Sequence, residues 1–217
     1  MNELADRRRE EKERRREDIL DAAALVCAEQ GIDALTMDLV ARQARLSRAL
    51  LYVYFKDKVD LQLGLCERAI ERLLQRFVED TAKEATGRDQ LAAMGRAYIA
   101  FALEQPVYFE TLARFEAGSR SAGSLAPDGG NLGNCLAGGD RVHQVMTDAI
   151  RAGIEDGSIR GELGNADAVA IVLWGFMHGV IQLVATKGEI LAQRGVTPEQ
   201  LFEQARELAL HSLRPAT

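Results

Sequence analysis

The stretch from Thr36 to Lys58 constrains the fold more than any other part of this chain. Thr36 can cap the free N–H groups of a helix beginning at Met37, and Val40 and Ala44, four residues apart, share one face of it. Arg45 and Leu46 make a turn. Ser47 offers a second cap, for a helix through Arg48, Ala49, Leu50, Leu51 and Tyr52. With Leu46, Leu51 and Phe55 as inward anchors, the outward residues are Arg48, Ala49, Leu50 and Tyr52, followed by Tyr54, Lys56 and Lys58. Two short helices across a tight turn, with polar groups on the outer face of the second, form a helix-turn-helix. The second helix can then meet base edges and phosphates of a duplex.

The charge pattern fits a chain that binds DNA specifically rather than indiscriminately. A net charge of -6 argues against indiscriminate nucleic-acid binding. Between Arg42 and Lys58, however, Arg42, Arg45, Arg48, Lys56 and Lys58 face Asp57 as the one acid, which is a focused basic patch. The run from Arg7 to Arg16 is basic overall, and pairs such as Glu10 with Arg14 and Glu11 with Arg15 support a helix there. It reads first as a solvated face or frayed tail, and alternatively as arginines reaching phosphates or a narrow minor groove. No signal-peptide core and no uninterrupted run of about 18 apolar residues is present, so a cytoplasmic protein without membrane contact is expected. Cys27, Cys66 and Cys135 are odd in number and far apart, which predicts reduced thiols, with Cys135 in a glycine-rich loop.

Helical periodicity continues to the end of the chain. A helix is predicted from Lys58 to Lys83, with Leu61, Leu65, Ala69 and Leu73 on one stripe. Further helices run from Arg88 to Glu104 and from Pro106 to Ala117, the second opened by its proline. Gly118 to Gly139 reads as a long loop. Helices then follow over Asp140–Asp156, Ala166–Lys187 and Thr197–Leu213. The Ala166–Lys187 segment is apolar nearly all round and must be covered on both sides. The last two helices can form a four-helix bundle with their symmetry mates, predicting a homodimer.

These residues resemble the tetracycline-repressor (TetR) family. The resemblance is carried by Thr36, Val40-Ala41, Ala44 to Ser47, Ala49 to Tyr52, Tyr54-Phe55, Lys58 and Leu61, preceded by a first helix from Ile19 to Gly31. It implies DNA contacts from Thr36, Arg45, Ser47, Arg48, Ala49, Leu50, Tyr52, Tyr54 and Lys58. Three positions depart from the family pattern. The turn glycine is Arg45, strained if that residue needs positive φ. The glycine and threonine of the recognition helix are Ala49 and Leu50. Ala49 stiffens the helix, and Leu50 either touches a thymine methyl or packs.

The resemblance also implies an all-α protein in two parts: a three-helix DNA-binding domain over residues 14–74, and a helical ligand-binding and dimerisation domain over 75–217. The segment from Leu173 to Gly179 looks like a tryptophan and histidine-glycine pattern of some members. Met94, Tyr98, Phe101, Phe109, Leu112, Phe115, His143, Met146, Trp174, Met177 and His178 are candidates for an apolar cavity with a few polar handles, suited to a hydrophobic or aromatic small molecule. His143 and His178 lack a third ligand at telling spacing, so no metal and no cofactor is expected. No phosphate loop, metalloprotease helix or nucleophile elbow is present, and no catalysis is expected. The partners predicted are an operator duplex, a small-molecule effector and a second copy of the chain. The competing reading is a helical ligand-binding or adaptor protein whose altered recognition helix no longer reads DNA.

Overall fold

The computed structural model describes residues 3–118 and 130–215, and among these it shows nine α-helices and no strand. They are α1 (Glu3–Gln30), α2 (Met37–Gln43), α3 (Arg48–Tyr54), α4 (Lys58–Thr81), α5 (Gly87–Glu104), α6 (Pro106–Gly118), α7 (Gly130–Glu155), α8 (Ala166–Gln193) and α9 (Pro198–Ser212). The chain divides into two compact units. Met1–Ile70 with Gln105–Leu136 forms the first, and Glu71–Glu104 with Ala137–Thr217 the second.

In the first unit the second half of α1 buries Ile19, Leu20, Ala23 and Val26, the spacing of one helix face. Its first half is charged and exposed, with Glu11 reaching Arg14 at 2.6 Å and Arg15 at 3.7 Å. Against the apolar face lie Leu35, Val40, Leu51, Phe55, Leu61 and Leu65, each fully buried. Gly64 makes this packing possible, since a Cβ there would lie 2.8 Å from the Phe55 ring and 3.1 Å from Leu20. Arg68, only 5% exposed, links three helices: Nη2 donates to Glu17 Oε2 at 2.6 Å, and Nη1 donates to Asp21 Oδ1 at 2.6 Å and to Tyr108 Oη at 3.3 Å. Arg114 of α6 forms a two-pronged pair with Asp33, at 2.6 and 2.8 Å.

The glycine-rich loop expected over Gly118–Gly139 is corrected at both ends. Gly118 closes α6 and residues 130–139 are the first turns of α7, while residues 119–129 lie outside the described residues. The helix forms there because long-range contacts outweigh a propensity cost of about 1 kcal/mol per glycine. The Asn131 amide donates to Asp60 O and Oδ1 at 3.0 and 2.9 Å, and the Asn134 amide donates to Glu67 at 2.7 Å. Cys135 is fully buried with its Sγ donating to Leu63 O at 3.3 Å, so it sits in a helix and not in a loop.

In the second unit α5, α8 and α9 pack together. Thr197 caps α9 in a reciprocal capping box with Gln200, and Pro198 follows it. Asn165 caps α8, which runs past its predicted end to Gln193 with a non-helical residue at Lys187. By length and composition α8 is apolar enough to cross a membrane, with a mean hydropathy of 2.0, yet only 22% of its apolar window is buried. Ile171, Val172, Phe176, Leu183 and Ile190 are exposed. Among the described residues, the cover such a helix needs is therefore incomplete.

The start of α5 is held by side chains that follow α7. Gly87 N donates to Asp156 Oδ2 at 2.8 Å and Arg88 N donates to Ser158 Oγ at 3.2 Å. A Cβ at residue 87 would lie 2.1 Å from Gly153 N and 2.3 Å from Ala149 O. Because backbone occupies that space and cannot swing aside, Gly87→Ala is expected to cost about 3 kcal/mol. Gly95→Ala, whose Cβ meets nothing nearer than Arg206 Cγ at 4.0 Å, is expected to be neutral or stabilising. Urea midpoints of the two variants check this, and a Gly87→Ala midpoint equal to wild type contradicts it.

Candidate functional site

The recognition element is assembled by local chemistry. Thr36 is extended and its Oγ1 accepts from Leu39 N at 3.2 Å, and Ser47 does the same for Leu50 N at 3.1 Å. Both hydroxyls are thus engaged in starting α2 and α3. Arg45 has φ 56°, a left-handed conformation that otherwise occurs only at glycines among the described residues. Its side chain is exposed, so the turn carries a cation at the cost of backbone strain.

Burial of Leu51 and Phe55 turns the other face of α3 outward. Arg48, Ala49, Leu50 and Tyr52 are exposed, while Tyr54 and Lys58 are half-buried and Leu46, expected as an anchor, is only half-buried. Arg48 is held in place: Nη1 lies 3.2 and 3.3 Å from the two Asp38 oxygens, and Nη2 lies 3.3 Å from Tyr52 Oη. The guanidinium carbon also sits 5.6 Å from the Tyr52 ring centroid. Lys58 Nζ donates to the Asp33 carbonyl at 3.1 Å. The face therefore presents fixed donors, the equipment for acceptor-rich partners such as guanine edges and phosphates. Asp38 and Val53, the latter 67% exposed, belong to this surface and were missed from the sequence. Asp38 is ten residues from Arg48, and no spacing rule links them before the turn is built.

The second unit contains a small apolar cavity, partly open to solvent. Of the candidate cavity residues, Met94, Tyr98, Met146, Trp174 and Met177 line it, together with Leu73, Phe77, Leu91, Arg206 and Leu213. The structure does not bring the others to its wall. Phe109, Leu112 and Phe115 stand on α6 in the first unit, and Phe101 is fully buried. His143 and His178 flank Trp174, at ring distances of 5.2 and 5.8 Å. No group of three metal-ligating side chains occurs among the described residues. The signals missed were Leu73 and Phe77 on α4 and Arg206 on α9, because which face of each helix meets the cavity depends on tertiary packing.

Residues 19–64 match the family described as bacterial regulatory proteins, tetR family, and residues 91–208 match the tetracyclin repressor-like, C-terminal domain. The fatty acid metabolism regulator protein of Bacillus subtilis (strain 168) is 34% identical over 74 residues, which is 34% of this chain and 38% of that relative. The chain spans less than half the length of the curated relatives it matches. A solved protein of unknown function from Rhodococcus sp. RHA1 has a TM-score of 0.74 at 21% identity, covering 92% of this chain and 95% of that one. The transcriptional regulator FadR from Bacillus subtilis, solved in complex with stearoyl-CoA, has a TM-score of 0.68 at 19% identity, covering 91% and 98%. At such identities the solved structures show a shared fold.

Beside the cavity, Tyr98 Oη and His178 Nδ1 are 2.7 Å apart. Burial pushes the His178 imidazole below its ordinary 6.5, favouring the neutral ring. The unfolded chain therefore takes up a proton that the folded one refuses. Stability from this site is present above pH 6.5 and is lost as the pH falls below that value toward the folded pKa. Urea unfolding at pH 7.5 and 5.5 should show a larger acid loss for wild type than for His178→Asn, and equal losses would contradict this.

Proposed function

The chain belongs to the tetR family of bacterial DNA-binding transcriptional regulators, and on that footing we propose that it is a cytoplasmic homodimeric repressor. In this reading a near-palindromic operator is released when a hydrophobic or aromatic small molecule occupies the cavity. The observation that carries it is the presence in one chain of an outward donor face on α3 and an apolar cavity lined by Trp174 and Met177. The functional division proposed is 14–74 for DNA and 75–217 for ligand and self-association, without any catalytic step.

Dimerisation is supported by the exposed apolar stripe of α8, to which α9 adds Leu208, 56% exposed. Covering that stripe with a second copy removes large side chains from water, at about 25 cal/mol per Å². Gly175 and Gly179 lie four residues apart on α8, with nothing within 4 Å of where a Cβ would stand, and they let another helix approach closely. The named ligand of the FadR relative, stearoyl-CoA, supports an apolar effector here.

Coupling runs, in this proposal, through α4 and α7. Each is a single helix with residues in both units, and each contributes to the cavity wall, α4 through Leu73 and Phe77 and α7 through Met146. A ligand shifts the population away from the DNA-competent state only if it binds that state less well.

One observation favours the competing adaptor reading: Asp38 pairs with Arg48, the residue that the repressor reading would use to read a base edge. Selection of bound duplexes from random sequence separates the two. The repressor reading predicts an enriched inverted repeat whose half-sites lie about 34 Å or a multiple apart. On that duplex Arg48→Ala should cost about 1–3 kcal/mol through a lost bidentate guanine contact. Lys58→Ala should weaken all duplexes and lower the salt slope by about one. Equal loss on specific and random DNA would make Arg48 a backbone contact, and no enriched sequence at all would favour the adaptor.

A further inference from the structure

We infer that the cavity of the second unit takes an anionic amphiphile, an apolar chain or ring with one negatively charged group, and that Arg206 is the seat of that charge. The inference rests on reading the cavity as the effector site, and it narrows the effector from any apolar molecule to an acidic one. Leu73, Phe77, Met94, Met146 and Met177 supply an apolar wall. Among the described residues that line the cavity, Arg206 alone carries a formal charge.

The guanidinium is only partly used by the fold. Nη1 donates to Glu203 Oε2 at 2.5 Å, one turn away on α9, and the Glu203 side chain is 68% exposed. Nε is out of contact with solvent and has no hydrogen-bond partner. A buried N–H without an acceptor is disfavoured, whereas a planar guanidinium offered a carboxylate or phosphate forms charge-assisted, two-pronged hydrogen bonds. If the side chain served only to pack its stem over Gly95, a neutral or shorter residue would do so without the orphaned donor. Of the uncharged polar groups on the wall, the Trp174 indole N–H carries no charge and the Tyr98 hydroxyl is committed to His178 at 2.7 Å. Since burial disfavours the charged imidazole, that pair contributes no second cation. One cation beside an apolar wall selects a ligand with one anionic end and excludes apolar cations by repulsion.

Trp174 is the chain's one tryptophan and lines the cavity, so its emission reports occupancy directly. The intact full-length protein is titrated with decanoate, decyl phosphate and 1-decanol, all below their micelle concentrations. At least one anion is expected to bind about tenfold more tightly than the alcohol, and which anion wins separates carboxylate from phosphate recognition. Arg206→Gln should bring the anions to the level of the alcohol and leave the alcohol unchanged. Glu203→Gln, which frees the guanidinium, should tighten the anions severalfold, and it carries the test if Arg206→Gln fails to fold. Equal binding of all three by wild type, or equal loss of all three in Arg206→Gln, overturns the assignment. If all three bind alike and also weaken operator binding, the effector-site reading stands while the role of Arg206 falls. If none of the three perturbs Trp174, both fall.

Discussion

Burial of Phe55 is the constraint on which the recognition surface depends. The ring has no solvent exposure, fills the space left by Gly64, and with Leu51 fixes the rotation of α3 about its own axis. Once that inner face is set, helical geometry dictates that Arg48, Ala49 and Tyr52 point outward. Arg16 places its guanidinium 5.5 Å from the Phe55 ring centroid and pairs with Glu67 at 2.6 Å, so Arg16 ties α1 to α4 beside that ring. Function on the outside is thus set by a packing decision on the inside.

The second unit solves a different problem, which is to keep an apolar space from collapsing. Close backbone approach at Gly87 and Gly153, pinned by Asp156 and Ser158, makes the junction of α5 and α7 stiff. Trp174 is wedged between two histidine rings, which limits how far the wall can relax inward. Among the described residues the outer surface of α8 is left apolar and uncovered, and exposing that much apolar surface to water is costly. Because α8 carries both cavity-lining residues and the exposed apolar stripe, the proposed ligand site and the surface proposed for self-association share one helix.

What the sequence revealed and what it hid divide along the range of the interactions. Thr36 and Ser47 were legible as caps because a cap bonds to a backbone N–H three residues away. The positive φ of Arg45 was raised only as a condition, by the glycine that the resembled family carries at that turn, and the structure shows it. The helix over 130–139 was not legible, because its glycines signal a loop and only distant partners, Asp60, Glu67 and Leu63, reverse that signal. The aromatic residues of α6 were read as cavity residues for the same reason. Their helix clusters with the first unit, where Tyr108 meets Arg68 and Arg114 meets Asp33. Arg206 drew no reading from the sequence, because its place at the cavity depends on α5 and α9 coming together.

The central claim is that occupancy of the cavity and binding of the operator are thermodynamically linked. The direct measurement is a two-way titration: operator affinity at rising concentration of a ligand that perturbs Trp174 emission, and ligand affinity at rising operator concentration. Linkage requires each to weaken the other by the same factor, and coupling of this kind is about 1–3 kcal/mol, or roughly 5- to 150-fold. A ligand that saturates the cavity while leaving operator affinity unchanged would contradict the account.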